Sequence, residues 1–189
     1  MQVYQNALDP DFAKELFKDS HDRFMGQDPN WSTNYAWQQN IVKASHPVLT
    51  RAYDDVTANK IIDNLMANNV IPHRDFSVMT YVWTRLAYIA WHGDDKYDSS
   101  LTVYLNEYWD PDWGGVFLYK ENLTDTAVKG IIPTFNTAVI NTRNLQHCIT
   151  PVGLDAGAPR ITIQMFSKRP RKDVEEAKKF WAFSNTVKK

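Results

Sequence analysis

The chain has 189 residues, enough for one domain with a substantial buried core, and its 43% hydrophobic and 23% charged residues are ordinary for a globular protein. Its 21 Lys and Arg against 22 Asp and Glu leave a formal net charge of −1, which argues against a general attraction to nucleic acid or to a membrane surface. Cys148 is the single cysteine, which excludes an intrachain disulfide and a cysteine zinc cluster; with no apolar run of membrane-spanning length and no secretory signal at Met1-Gln2-Val3, a soluble cytoplasmic protein is expected.

Asp9-Pro10-Asp11 predicts a helix start, with Asp9 as N-cap, Pro10 in the first turn, and Phe12, Leu16 and Phe17 at helical spacing. The stretch Phe24 to Gln39, with Gly26 and Pro29, reads as loop. A second helix is expected from Pro47 to about Met66, with Leu49, Tyr53, Val56, Ile61, Ile62 and Leu65 mostly on one face, ended by Asn68-Asn69 and Pro72. From about Ser77 the period changes to that of strands. Short runs follow at Ser77–Trp83, Leu86–Trp91, Leu101–Asn106, Val116–Tyr119, Ala127–Ile131, Thr137–Asn141, Leu145–Thr150 and Arg160–Ser167, separated by Asp110-Pro111-Asp112, Gly114-Gly115, Pro133 and Gly153 through Pro159. Helices outside about eight short strands predict a barrel or a two-sheet jelly roll. The expectation is one domain over 1–189: a helical part to about 70, a strand core over about 75–168, and a C-terminal amphipathic helix over about 173–183.

His92-Gly93-Asp94 closes one predicted strand, His147 lies in another about fifty-five residues on, and Arg160 opens the last. A histidine and a carboxylate two apart on a strand end project to the same side, and a second histidine from a neighbouring strand completes one face of a metal. Two imidazoles and a carboxylate on one face suit non-heme Fe(II), with its other positions open. The same donors suit zinc, so hydrolysis stays an alternative. Asp95 alternates to the other side, towards solvent or an outer position. His21, His46 and His73 lie outside the strand-rich part and read as structural or exposed. Arg160, Thr162, Gln164 and Phe166 share one strand face. A guanidinium there needs an anion, either a bound dicarboxylate or a local acid such as Asp155.

The ordered series His92-Gly93-Asp94, Leu101-Thr102-Val103-Tyr104-Leu105-Asn106-Glu107 with Trp109, Gly114-Gly115-Val116-Phe117, Ile132-Pro133-Thr134-Phe135-Asn136, His147-Cys148-Ile149-Thr150-Pro151-Val152 and Arg160-Ile161-Thr162 resembles the Fe(II)/2-oxoglutarate dioxygenase superfamily. The likeness is to its prolyl-4-hydroxylase-like branch and runs from roughly Ser77 to Lys168. It implies a mainly β fold with flanking α-helices and a double-stranded β-helix (jelly roll, cupin-like) core. It implies Fe(II) ligands at His92, Asp94 and His147, and 2-oxoglutarate anchored by Arg160 with help from the Tyr104 and Thr162 hydroxyls. O2 would be the oxidant and ascorbate a reductant. In the same family Gly114-Gly115 marks a turn and carries no chemistry.

The implied activity is hydroxylation of an unactivated C–H, foremost a prolyl residue in a peptide or protein. The alternatives are a hydroxylase of a free amino acid or small metabolite, and a non-catalytic cupin-like metal-binding module. Asp94 fills the carboxylate position that a halogenase of this type leaves vacant. Two features depart from the family: a longer interval from His147 to Arg160, and Trp83 through Trp91 where a glycine-rich loop is usual. Arg143, Trp83, Trp91, Trp109 and Trp113 are the candidates for substrate contact, Arg143 because the peptide-hydroxylating branch often has a basic residue there. The competing reading of the tryptophans is core packing. Cys148 should face away from the metal as a buried apolar group. Lys168-Arg169-Pro170-Arg171-Lys172 reads as a solvated basic stretch.

Overall fold

A computed structural model describes residues 1–33, 48–94 and 96–168. Strand β1 (Gln2–Tyr4) comes first and was not apparent in the sequence pattern. Helix α1 (Pro10–Met25) starts where expected: the Asp9 side chain accepts a hydrogen bond from the Phe12 N–H at 3.0 Å, and Pro10 occupies the first turn. It buries Phe12, Ala13, Leu16 and Ser20. The helix runs through Phe24 to Met25, past the point where a loop was expected, and stops at Gly26. Ser32–Thr33 then forms a short strand, β2.

The second helix begins later than its periodicity implied. Val48–Ala52 is a strand, β3, and α2 spans Asp55–Ala67 behind Asp54, whose side chain accepts from the Thr57 N–H at 2.8 Å. Leu49, Tyr53 and Val56 recur at helical spacing, yet β3 pairs with β4 (Phe76–Trp83), with Val48 opposite Trp83 and Ala52 opposite Met79. A sheet partner satisfies the backbone of this segment and overrides its local period. Val56 is left 81% exposed, while Ile61, Ile62 and Leu65 carry the buried face of α2.

The remaining strands are β5 (Ile89–His92), β6 (Ser100–Tyr104), β7 (Phe117–Tyr119), β8 (Lys129–Ile131), β9 (Ala138–Asn141), β10 (His147–Ile149) and β11 (Arg160–Ser167). Each predicted run from Ser77 onward overlaps one of the strands β4 to β11, most of them shorter than expected and three of them, β4, β5 and β6, extending one residue beyond their runs. The run from Leu86 loses its first residues because Leu86 turns the chain at φ 65°. The strands form two antiparallel sheets: seven in the order β1-β9-β6-β11-β4-β3-β2, and four in the order β5-β10-β7-β8.

Alternation along β11 shows how the layers are arranged. Ile161, Ile163 and Met165 pack with Leu8, Leu16, Ile61 and Leu65 under the helices. A second core between the sheets joins Tyr81, Trp83 and Tyr104 of the large sheet to Ile89, Phe117 and Ile149 of the small one. Arg160 and Thr162 face this second side. Among the described residues no helix is long and apolar enough to cross a membrane. The expected C-terminal helix over about 173–183, the basic residues 169–172, Pro47, His46 and Asp95 lie outside the described residues.

Candidate metal centre

His92 ends β5 and His147 begins β10, and the two are direct partners across the ladder. Asp94 follows two residues beyond His92, past the strand end. The link between them is glycine for a steric reason: a Cβ on Gly93 would lie 2.8 Å from Asn144 Oδ1 and 3.2 Å from Gln146 Nε2. The small residue lets Asp94 return over the β9–β10 connection. One nitrogen from each imidazole and one Asp94 oxygen all lie within 4.8 Å of one another. His92 Nε2 is 3.9 Å from Asp94 Oδ1, and His147 Nε2 is 3.6 Å from Asp94 Oδ2.

The ring orientations follow from backbone acceptors. His92 Nδ1 lies 2.8 Å from the Ala90 carbonyl and His147 Nδ1 lies 2.9 Å from the Leu145 carbonyl. A carbonyl only accepts, so each Nδ1 carries a proton, and in the neutral form of either ring Nε2 is the nitrogen that presents a lone pair. Burial, and then the neighbouring His147, push the His92 imidazole down to about 4, so it is neutral at physiological pH. Ser100, at the start of β6, donates to Asp94 Oδ2 at 2.5 Å. Phe117 stacks on His147 with centroids 5.0 Å apart. Two lone pairs and a carboxylate facing one another repel unless a cation lies between them. That donor set and its outer hydrogen bonds fit a divalent metal.

Arg160 lies deeper between the sheets, 1% exposed, with Trp83 and Tyr104 rings 5.0 and 5.1 Å from its guanidinium carbon. Its Nε, Nη1 and Nη2 atoms and the Tyr104 hydroxyl are buried without a hydrogen-bond partner among the described residues. Burial depresses the guanidinium from its ordinary value and raises the Tyr104 phenol. A surface pair with Asp155 is therefore not what Arg160 makes. A planar cation with its donors unused is a fitted receptor for a carboxylate, which accepts two N–H groups at once. Gly115, at φ 63°, gives the side chain its room: a Cβ there would lie 2.8 Å from Arg160 Cδ and 3.3 Å from Trp109 Cζ2. Gly115 thus does more than turn the chain. Thr162 lies opposite Tyr104 and its hydroxyl accepts from Trp83 Nε1 at 3.3 Å, which leaves its own proton to donate.

The tryptophans separate into two groups. Trp83 and Trp109 are buried walls around Arg160, with Trp109 Nε1 donating to the Gly114 carbonyl at 3.0 Å. Of the substrate candidates these two are buried, and each donates its indole N–H inside the core. Trp113 packs edge-on against Trp109. Trp91 is 39% exposed, with Lys120 Nζ 5.5 Å above its ring, and Arg143 is exposed on the β9–β10 connection. Cys148 points away from the cluster and burial pushes its thiol up to about 11. His21 stacks on Phe17 and His73 on Phe76, both away from the cluster. Ser100 carried no signal in the sequence, since a serine at a strand end is common, and Phe117 entered only as the end of the Gly114-Gly115-Val116-Phe117 run, with nothing to place it against His147.

Residues 62–168 match the model of the 2OG-Fe(II) oxygenase superfamily. No curated protein matches the sequence significantly. Among solved structures, a Pseudomonas putida prolyl-4-hydroxylase is 17% identical, with a TM-score of 0.64 over 90% of this chain and 92% of that one. A Trichoplax adhaerens prolyl hydroxylase, solved with a peptide fragment of the hypoxia inducible factor oxygen degradation domain, is also 17% identical, with a TM-score of 0.66 over 88% and 82%. A viral collagen prolyl hydroxylase from Paramecium Bursaria Chlorella virus-1, solved with 2OG, is 14% identical, with a TM-score of 0.55 over 88% and 95%. At these identities the likeness is one of fold, a jelly-roll core flanked by helices.

Proposed function

This chain belongs to the 2OG-Fe(II) oxygenase superfamily, and from that premise we propose that it hydroxylates a prolyl residue in a peptide or protein, with His92, Asp94 and His147 as the iron ligands. Arg160 takes the far carboxylate of 2-oxoglutarate, and the Tyr104 and Thr162 hydroxyls complete that end of the site. The observation that carries the reading is the pairing of two sites in one protein: two imidazoles and a carboxylate gathered within 4.8 Å of one another, and a buried guanidinium whose nitrogens have no hydrogen-bond partner among the described residues. A metal-chelating dicarboxylate answers both.

Bound together, Fe(II), 2-oxoglutarate and O2 supply oxidative decarboxylation coupled to C–H hydroxylation. The chain's own part is to place and shield them. The Ala90 and Leu145 carbonyls fix the two imidazoles with their lone pairs inward. Ser100 holds one Asp94 oxygen. Trp83, Tyr104 and Trp109 exclude water around Arg160, which strengthens its attraction to a carboxylate. Support for a prolyl target comes from the solved prolyl hydroxylases of the same fold, one of them holding a peptide fragment. Exposed Trp91 and Arg143 are the candidates for substrate contact, through stacking and charge respectively.

Two measurements test this. Anaerobic addition of Fe(II) and then 2-oxoglutarate should produce a visible metal-to-ligand charge-transfer band that His92→Ala lacks. No band in the native protein would reject the assignment of the site. Mass spectrometry of proline-containing peptides and of free amino acids, after aerobic turnover, should show one added oxygen on a peptide. Addition only to a free amino acid or metabolite would reject the peptide target while keeping the chemistry.

A further inference from the structure

We infer that Asn141 is a positioning residue for the metal centre: its amide clamps the Leu145 peptide group at both ends, and through the Leu145 carbonyl it determines which edge of the His147 ring faces the metal. This rests on the reading of His92, Asp94 and His147 as metal ligands. Asn141 is the last residue of β9 and is buried. Its Oδ1 accepts from the Leu145 N–H at 2.9 Å, and its Nδ2 donates to the Leu145 carbonyl at 3.1 Å. The same carbonyl accepts from His147 Nδ1 at 2.9 Å.

The clamp matters because nothing else described near His147 performs its task. Stacking on Phe117 holds the plane of the imidazole. A stacked ring can still flip by half a turn about its Cβ–Cγ bond and return to the same plane, which would exchange the nitrogen facing Asp94 for a carbon. Only an acceptor at a defined point distinguishes the two edges, and the Leu145 carbonyl is that acceptor. It belongs to a connection with few other restraints: Thr142 and Arg143 are exposed, and Asn144 sits at φ 49°. Asn141 therefore fixes the carbonyl that fixes the ring.

The molecule contains its own control. Asn136 makes the same two-point clamp on Leu8, accepting from its N–H at 2.8 Å and donating to its carbonyl at 2.7 Å. No metal-ligand candidate hangs on that peptide group, so Asn136 contributes stability alone. The experiment titrates metal-free wild type, Asn141→Ala, Asn141→Ser and Asn136→Ala with Co(II), anaerobically, following the visible d–d bands. Melting temperatures of the metal-free proteins and ¹⁵N spectra of the histidine side chains accompany it.

Asn141→Ala should bind Co(II) about tenfold more weakly, the lower end of the range for residues behind a metal ligand. Its His147 resonances should show a mixture of tautomers in place of the Nδ1–H form. Asn136→Ala should melt at a lower temperature and bind Co(II) as wild type does. Asn141→Ser puts one short hydroxyl in place of the two-ended amide, so it cannot hold the Leu145 N–H and carbonyl at once. It should fold and still bind more weakly, which covers failure of the alanine variant to fold. Wild-type affinity and a single Nδ1–H tautomer in both Asn141 variants would overturn the inference while leaving the metal ligands in place. Absence of Co(II) binding by the wild type would overturn both.

Discussion

Replacing Arg160 with methionine should make the metal-free protein more stable while abolishing tight 2-oxoglutarate binding. Arg160 is almost fully buried, its three guanidinium nitrogens have no hydrogen-bond partner among the described residues, and two aromatic rings flank it. Desolvating such an ion costs several kcal/mol, and each flanking ring returns about 2 kcal/mol. Methionine has similar length, fills the slot beside Gly115, and gains about 0.3–1.5 kcal/mol per sulfur–aromatic contact. The balance favours Arg160→Met by about 1–3 kcal/mol, within the range seen when buried charges are replaced by apolar residues. For a chain of this size that raises the melting temperature by about 2–12 °C.

Co-substrate binding moves the other way. Losing a buried, hydrogen-bonded charge partner costs about 2–5 kcal/mol, a fall of roughly 30-fold to several thousand-fold in 2-oxoglutarate affinity. Calorimetric titration of 2-oxoglutarate into the Mn(II)-loaded protein measures the affinity, and thermal melts in EDTA measure the stability. A variant that is less stable than wild type and binds 2-oxoglutarate equally well would refute both the strain assigned to Arg160 and its anchoring role.

Three further outcomes are expected. Ser100→Ala removes the donor to Asp94 Oδ2 and should weaken Co(II) binding by about tenfold, with a stability cost of about 1 kcal/mol; titration and urea unfolding check the two parts. Gly115→Ala places a methyl where Arg160 Cδ lies and strains a φ of 63°, so it should cost about 1–2 kcal/mol and raise the KM for 2-oxoglutarate more than that for the substrate it oxidises. His92 titrates near 4 in the folded state against an ordinary value of 6.5, so below 6.5 the unfolded chain binds more protons. Stability of the metal-free protein should fall as pH drops from 6.5 towards 4 and be flat in this respect above 6.5. Urea midpoints in EDTA across that range test it, and a Co(II)-loaded sample should lose its added stability over the same interval as protons compete for the imidazoles.

The series from His92-Gly93-Asp94 to Arg160 was legible in the sequence chiefly as an ordered resemblance to a family, since a histidine and an aspartate spaced by two are a weak signal alone and Asp94 lies past the end of β5. Along β11 the strict alternation of a strand did place Arg160 and Thr162 on one face before any partner was known. The cap at Asp9 was legible for an equally local reason, since its acceptor lies three residues from the donor it satisfies. What depended on distant partners was not. Val48–Ala52 carries a helical period and became a strand because β4 lies beside it. Trp83 and Trp109 stood as candidates for substrate contact against the commoner reading of core packing until the fold brought Arg160 and Gly115 beside them. Ser100 and Asn141 are unremarkable residues until one reaches Asp94 and the other grips Leu145. By itself the sequence determined which donors point inward along each strand. Only the tertiary structure decided which of them meet, because strand register is a contest among segments tens of residues apart, settled by burial and hydrogen bonding of the whole sheet.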